Sequence, residues 1–257
     1  MLYVVLGAVA IGLVLGLLGS GGSILTVPVL VYLAGQPDKV AIAESLAIVG
    51  AIASVGAASY ARQGLVDWQA VAGFGAPGIV GTYGGAALAA HVPGAVQLVL
   101  FGAVMLAAAG AMLRGRPEGR AQEGRSAGAV AAVGAGVGVM TGLVGVGGGF
   151  LLVPALVLVV GLDVRLAVGT SLSVIVLNSL TGFVAYLDVL GEAGGAVDWG
   201  LVGGIAAVGV VGSIVGSRLS GRVPQAALRR SFAGLLVVMG LFILYTEVPS
   251  VASGAGF

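Results

Sequence analysis

Gly16-Leu-Leu-Gly-Ser-Gly-Gly-Ser-Ile-Leu-Thr-Val-Pro28 returns later in the chain, glycines and proline in place, as Gly142-Leu-Val-Gly-Val-Gly-Gly-Gly-Phe-Leu-Leu-Val-Pro154. The pair lies inside a longer self-similarity. Gly16–Tyr60 aligns without a gap on Gly142–Tyr186, and the shared positions include Leu30-Val31, Gly35, Ser45-Leu46, Gly56 and Tyr60. After a short insertion in the second copy the register resumes. Asp67-Trp68 then falls on Asp198-Trp199, Gly78 and Gly81 on Gly209 and Gly212, Val92-Pro93 on Val223-Pro224, and Phe101 on Phe232. Self-similarity over nearly the whole chain means two copies of one structural unit. The expected organisation is a first repeat over 1–113, a polar linker over 114–126 carrying Arg114, Arg116, Arg120 and Arg125, a second repeat over 127–247, and a tail over 248–257.

The solvent of these units follows from composition. Of 257 residues, 59% are hydrophobic and only 8% charged, against about a quarter charged in a soluble domain. With a mean hydropathy of +1.16, the chain reads as a polytopic, all-helical membrane protein rather than a water-soluble fold. The 48 glycines lack both the collagen period and the polar bias of a linker, so they point to close helix packing and broken helices. The absence of cysteine and the single histidine exclude disulfides, thiolate sites and multi-histidine metal centres, and no cofactor is expected. A net charge of +1 gives no reason to expect a nucleic-acid partner. Leu2–Leu18 has the length of a signal-peptide core, but it lacks preceding basic residues and belongs to the repeat.

Each repeat divides into five apolar segments: 2–18, 23–34, 40–61, 69–90 and 95–113, then 127–145, 149–161, 165–187, 198–219 and 226–246. The second of each set rises only about 18–20 Å, against a hydrocarbon core of about 30 Å. It reads as a short broken or re-entrant helix. The basic residues decide how the repeats are related. With the linker in the cytoplasm and the repeats inverted, Arg62, Arg114, Arg116, Arg120, Arg125, Arg165, Arg218, Arg222, Arg229 and Arg230 all face inward and Lys39 alone faces out. Parallel repeats would move the last five, Arg165, Arg218, Arg222, Arg229 and Arg230, outside with Lys39, and the bias would vanish. Two inverted repeats, with both termini outside the cytoplasm, are the expected topology. Such repeats are a transporter architecture.

Chemistry is expected at the two glycine corners. Gly19, Ser20, Gly21, Gly22 and Ser23, and Gly145, Gly147, Gly148 and Gly149, allow tight turns that aim the free N–H groups of the next helix at a central pocket. That is an anion site without a charged side chain, and close packing is the plainer use of the same glycines. The third segments add buried polarity. Glu44 lies inside its segment, where an ionisable group serves proton coupling or anion gating, or reaches the outer interface beside Lys39. Ser45, Thr170 and Ser171 are hydroxyl donors to a substrate or to their own helix backbone. Asn178, replaced by Ile52 in the first copy, contacts a substrate or bonds between helices. Asp67-Trp68 and Asp198-Trp199 read as helix caps with interfacial tryptophans.

The duplicated corner pattern, the Gly169-Thr170-Ser171 that follows the second corner, and the central polar linker together resemble the TauE/SafE family of sulfite-exporter-type permeases. The resemblance extends over nearly the whole chain. It implies a multi-pass transporter of the bacterial inner membrane that exports small sulfur-containing anions such as sulfite or organosulfonates; no enzyme activity is expected, and a coupling proton, where one is used, is expected at Glu44. The first copy departs from the second in carrying Ala43-Glu44 where Gly169-Thr170 stands, so the site is not symmetric. A passive anion channel is the nearest rival reading. An intramembrane lipid-phosphate hydrolase needs a nucleophile, a base and a cation together, and the basic residues are accounted for by topology.

Overall fold

In the computed structural model, which describes residues 2–19, 21–114, 127–144, 149–193, 195–220 and 222–252, the chain is all-helical, with no strand among the described residues. The elements are α1 (Leu2–Leu18), α2 (Gly21–Pro28), α3 (Asp38–Arg62), α4 (Trp68–Ala89), α5 (Gly94–Arg114), α6 (Ala127–Val144), α7 (Gly149–Ala155), α8 (Val164–Ala193), α9 (Trp199–Ser220) and α10 (Gln225–Ala252). Six are long and apolar enough to cross a membrane: α3, α5, α6, α8, α9 and α10. Ser20, Gly145, Gly147 and Gly148 lie outside the described residues.

Both short second segments break in the same way. α2 ends at Pro28 and passes into a π-helical turn over Val29–Leu33, and α7, with Pro154 near its end, passes into another over Leu156–Val160. Proline has no N–H for the carbonyl four residues back and its ring crowds that carbonyl, so the helix widens to restore its bonds. In the first copy the chain reverses at Gly19 and α2 runs back along α1. A side chain on Gly22 would strike the Ile11 carbonyl, and one on Gly7 would lie 2.9 Å from Val29 Cγ1. α1 and α2 thus form a helical hairpin.

Helix packing is dominated by bare backbone. α4 lies against α6 with Gly81, Gly85, Gly138 and Gly142 each pressed on the other helix; a methyl group on them would run into the carbonyls of Ala135, Val139, Gly78 and Thr82. α1 and α9 repeat the arrangement, Gly12 against Gly209, Gly16 against Ser213 and Gly216 against Leu13. Both pairs run parallel. By contrast α3 and α8 run antiparallel, Leu46 beside Gly182, Gly50 beside Ser179 and Gly56 beside Leu172. In lipid no hydrophobic force draws helices together, so close backbone contact across small residues supplies the attraction. The most extensive contacts, α4 with α6, α1 with α9, α5 with α10 and α3 with α8, all join one sequence repeat to the other.

Candidate functional site

At the first corner one glycine is required by both conformation and space. Gly19 ends α1 with its N–H donating to the Leu15 carbonyl at 2.8 Å. Its φ of +72° is left-handed, and an added Cβ would lie 2.8 Å from the Val168 backbone of α8. Conformation and space both demand glycine. In the second copy, an added Cβ on Gly149 would lie 2.6 Å from Ile175 Cδ1 and 3.1 Å from Ser23 Oγ. The start of α7 and the first turn of α2 therefore meet, with the fully buried Ser23 hydroxyl over the Gly149 backbone. Thr26, one turn further, donates to the Gly22 carbonyl at 3.2 Å.

The third-segment hydroxyls divide by role. Ser45 Oγ donates to the Ile42 carbonyl at 2.8 Å, and Ser171 Oγ donates to the Val168 carbonyl at 2.8 Å while lying 3.4 Å from the Gly19 carbonyl of the corner. Ser171 thus holds the corner. Thr170 Oγ1 accepts from the backbone N–H of Asp67 at 2.9 Å, and Glu44 Oε1 accepts from the backbone N–H of Asp198 at 2.8 Å. Glu44 and Thr170 are equivalent positions of the repeats, as are Asp198 and Asp67, so one structural tie is made twice with different chemistry. The aspartates are the expected helix caps: Asp67 Oδ1 accepts from Gln69 and Ala70, and Asp198 Oδ1 from Leu201, all at 3.0 Å. Trp68 and Trp199 project outward, each 64% exposed. The Lys39 ammonium donates to the Ala90 carbonyl, and Glu44 is fully buried. Its Oε2 has no partner among the described residues. Next to its partner lies a cavity of about 600 Å³, bounded by Asp198, Gly204 and Ile205 of α9, Val4 and Ala8 of α1, and Ala34.

Asn178 lies at the centre of α8, fully buried, with neither Oδ1 nor Nδ2 paired among the described residues. It faces the bare backbone of Gly78, where an added Cβ would lie 2.8 Å from Oδ1. The hydroxyls of Thr82, Ser179 and Ser213 are buried and unpaired in the same way. A buried polar group without a partner costs about 1–3 kcal/mol, so each needs a ligand, a water or another reason. In the sequence Thr82 and Ser213 carry no signal of their own, since they sit within glycine rows whose pattern is that of helix packing, yet they occupy equivalent places in the two copies, directly after Gly81 and Gly212.

A second matched pair is structural. Tyr60 at the end of α3 donates to the Gly16 carbonyl at 3.2 Å, and its counterpart Tyr186 in α8 donates to the Leu143 carbonyl at 3.3 Å. Each satisfies a carbonyl in the last turn before a corner, where the helix has no backbone donor to offer.

The chain matches the family described as sulfite exporter TauE/SafE from residue 4 to residue 243. A protein of Xylella fastidiosa named "Probable membrane transporter protein" is 30% identical over 254 residues, covering 95% of this chain and 94% of its own. Relatives with the same description in Methanocaldococcus jannaschii and Bacillus subtilis are 29% and 23% identical, covering 92% and 95% of this chain and 94% and 100% of their own lengths. No solved structure matches. A helical membrane chain with two glycine corners, matched from end to end, belongs to the sulfite exporter TauE/SafE family of membrane transporters.

Proposed function

We propose that the chain is a secondary transporter that exports small sulfur-containing anions, sulfite or an organosulfonate, by alternating access around a pocket between the two glycine corners. The observation that carries this reading is the meeting of Ser23 with Gly149. It brings the starts of two broken helices together. Backbone N–H groups and a hydroxyl then serve an anion that must be released as readily as it is bound. In this scheme Gly19, Gly21 and Gly22 serve the first wall and Gly149 the second, together with Ser20, Gly145, Gly147 and Gly148, which lie outside the described residues. Ser171 braces the first wall at the Gly19 carbonyl, Ser45 and Thr170 are the further hydroxyls of the third segments, and Asn178 contributes from the centre of α8. No cofactor or metal enters the scheme.

The repeats, 1–113 and 127–247, are related by an axis in the membrane plane, with the 114–126 linker in the cytoplasm and both termini outside the inner membrane. The antiparallel course of α3 and α8, which are equivalent in sequence, supports this. Single cysteines at the exposed positions Gln63 and Asp163 should react with an impermeant reagent only from the cytoplasmic side, and cysteines at His91 and Glu192 only from outside. Parallel repeats would exchange the sides of the second-copy pair.

Glu44 is the coupling group in this scheme. Its carboxyl is held by the entry of α9, so gain or loss of a proton at Oε2 acts on that helix directly. The deciding experiment is sulfite accumulation in proteoliposomes with and without a pH gradient. Accumulation against the anion's electrochemical gradient supports a coupled transporter, and mere equilibration supports a channel. Glu44→Gln should keep the bond from the Asp198 N–H and abolish the response to the pH gradient. A response equal to that of the unmodified protein would return Glu44 to a purely structural role.

A further inference from the structure

Hydroxyls within this chain's helices follow a clear habit. Thr26, Ser54, Thr141, Ser173, Thr181 and Thr246 each donate to the carbonyl four residues back, the ordinary way to satisfy a hydroxyl in a helix. Thr82 and Ser213 sit in equally regular helices, fully buried, and do not. A local partner was at hand and is not used.

What faces these groups is equally uniform. Gly182 of α8 lies beside Thr82, with an added Cβ 3.1 Å from the threonine methyl, and Gly56 of α3 lies beside Ser213, with an added Cβ 3.3 Å from Oγ. Asn178 faces Gly78. Asn178 and the Ser213 hydroxyl each lie against a glycine, and Thr82 sets its methyl group against one; a glycine offers no side chain to bond with. Gly56 and Gly182 are equivalent residues, as are Thr82 and Ser213, so the two side chain–glycine contacts recur at matching places between the repeats. Along α8, the Gly182 level of Thr82 and the Leu172 level shared by Gly56 and Ser213 are ten residues apart, or about 15 Å at the helical rise. Asn178 lies between them, about one turn from Thr82.

We propose that Thr82, Asn178 and Ser213 form a row of anion-coordinating stations in the seam between α3, α4, α8 and α9, through which the transported sulfur oxyanion passes. This deepens the transporter reading and rests on it. A dehydrated anion inside the bilayer needs donors at each resting point. Neutral O–H and N–H donors hold it without the tight grip of a lysine or arginine, and spaced sites allow it to leave one for the next. Asn178, which only the second copy carries, marks the central station.

The test separates transport from folding, because removing an unpaired buried hydroxyl does not harm a fold. Thr82→Val and Ser213→Ala, alone and together, should keep or raise the melting temperature of the purified full chain. Each alone should lower initial sulfite uptake into proteoliposomes about fivefold or more, and the pair about twentyfold, while Thr82→Ser retains most of the rate. Uptake in the double variant equal to that of the unmodified protein overturns the proposal, and so does a loss of uptake that follows a lower melting temperature. If the unmodified chain carries neither sulfite nor thiosulfate nor a small sulfonate, the transporter reading itself fails and takes the stations with it.

Discussion

Gly85→Leu is expected to destroy the folded protein, whereas Gly84→Ala, one residue away on the same helix, leaves it intact or slightly stabilised. A Cβ on Gly85 would run into the Val139 carbonyl and lie 2.9 Å from the Leu143 nitrogen, both main-chain atoms of α6, while Gly84 has nothing within 4 Å. Backbone in a packed helix pair cannot rotate aside as a side chain can, so the leucine must force α4 and α6 apart along their whole seam. Overpacking costs about 1–3 kcal/mol even where side chains can yield, and here they cannot. Removing a glycine from an open helical position gains up to about 1 kcal/mol of propensity. Thermal melting in detergent, read by size-exclusion recovery, should show a drop of about 5–10 °C or complete loss for Gly85→Leu, and the same for Gly216→Leu, which meets the Leu13 carbonyl in the α1–α9 pair. Equal melting of the Gly84 and Gly85 variants would mean that the glycine rows do not hold the fold.

Gly149→Val, in contrast, should spare the fold and abolish transport. The atoms nearest its added side chain are Ile175 Cδ1 at 2.6 Å and Ser23 Oγ at 3.1 Å, both on side chains that can swing away, at the cost of the geometry that brings the two corners together. Misplacing binding groups by an ångström costs about a hundredfold in rate, and sulfite uptake should fall at least that far in protein that still elutes as a single folded species. Gly149→Ala should show an intermediate loss. Uptake of sulfite by Gly149→Val at the unmodified rate would take the corners out of the transport path.

The extent to which the chain could be read beforehand varied with the physics involved. The helical class and the short second segments were legible because lipid imposes length and hydropathy on each helix, whereas α8 and α10 run on to Ala193 and Ala252, past the apolar stretches that end at 187 and 246. Asp67 and Asp198 were legible as caps because capping is local. The partners of Glu44 and Thr170 were not, since they bond to residues far along the chain, in the other repeat, and no spacing rule links Glu44 to Asp198. The sequence is equally compatible with substrate and backbone partners for Ser45 and Ser171, because a serine in a helix can serve either, and in the fold both donate to their own helix, at the Ile42 and Val168 carbonyls. Thr82 and Ser213 were hidden by their glycine neighbours. Comparing the two copies for recurring polar residues, rather than for identity alone, would have drawn them out.

The exchange of helices between the repeats bears on how the protein is made. α1 closes on α9 and α4 on α6, so the glycine faces of the first half have no surface to settle against while the ribosome is still producing the linker. Insertion of the first five helices must therefore precede their assembly. The early half waits in the bilayer as loosely associated segments until α9 emerges, and the broken α2 is enclosed only when the second half arrives. A chain cut within 114–126 would reach its native packing only when both pieces are present, each serving as the other's template.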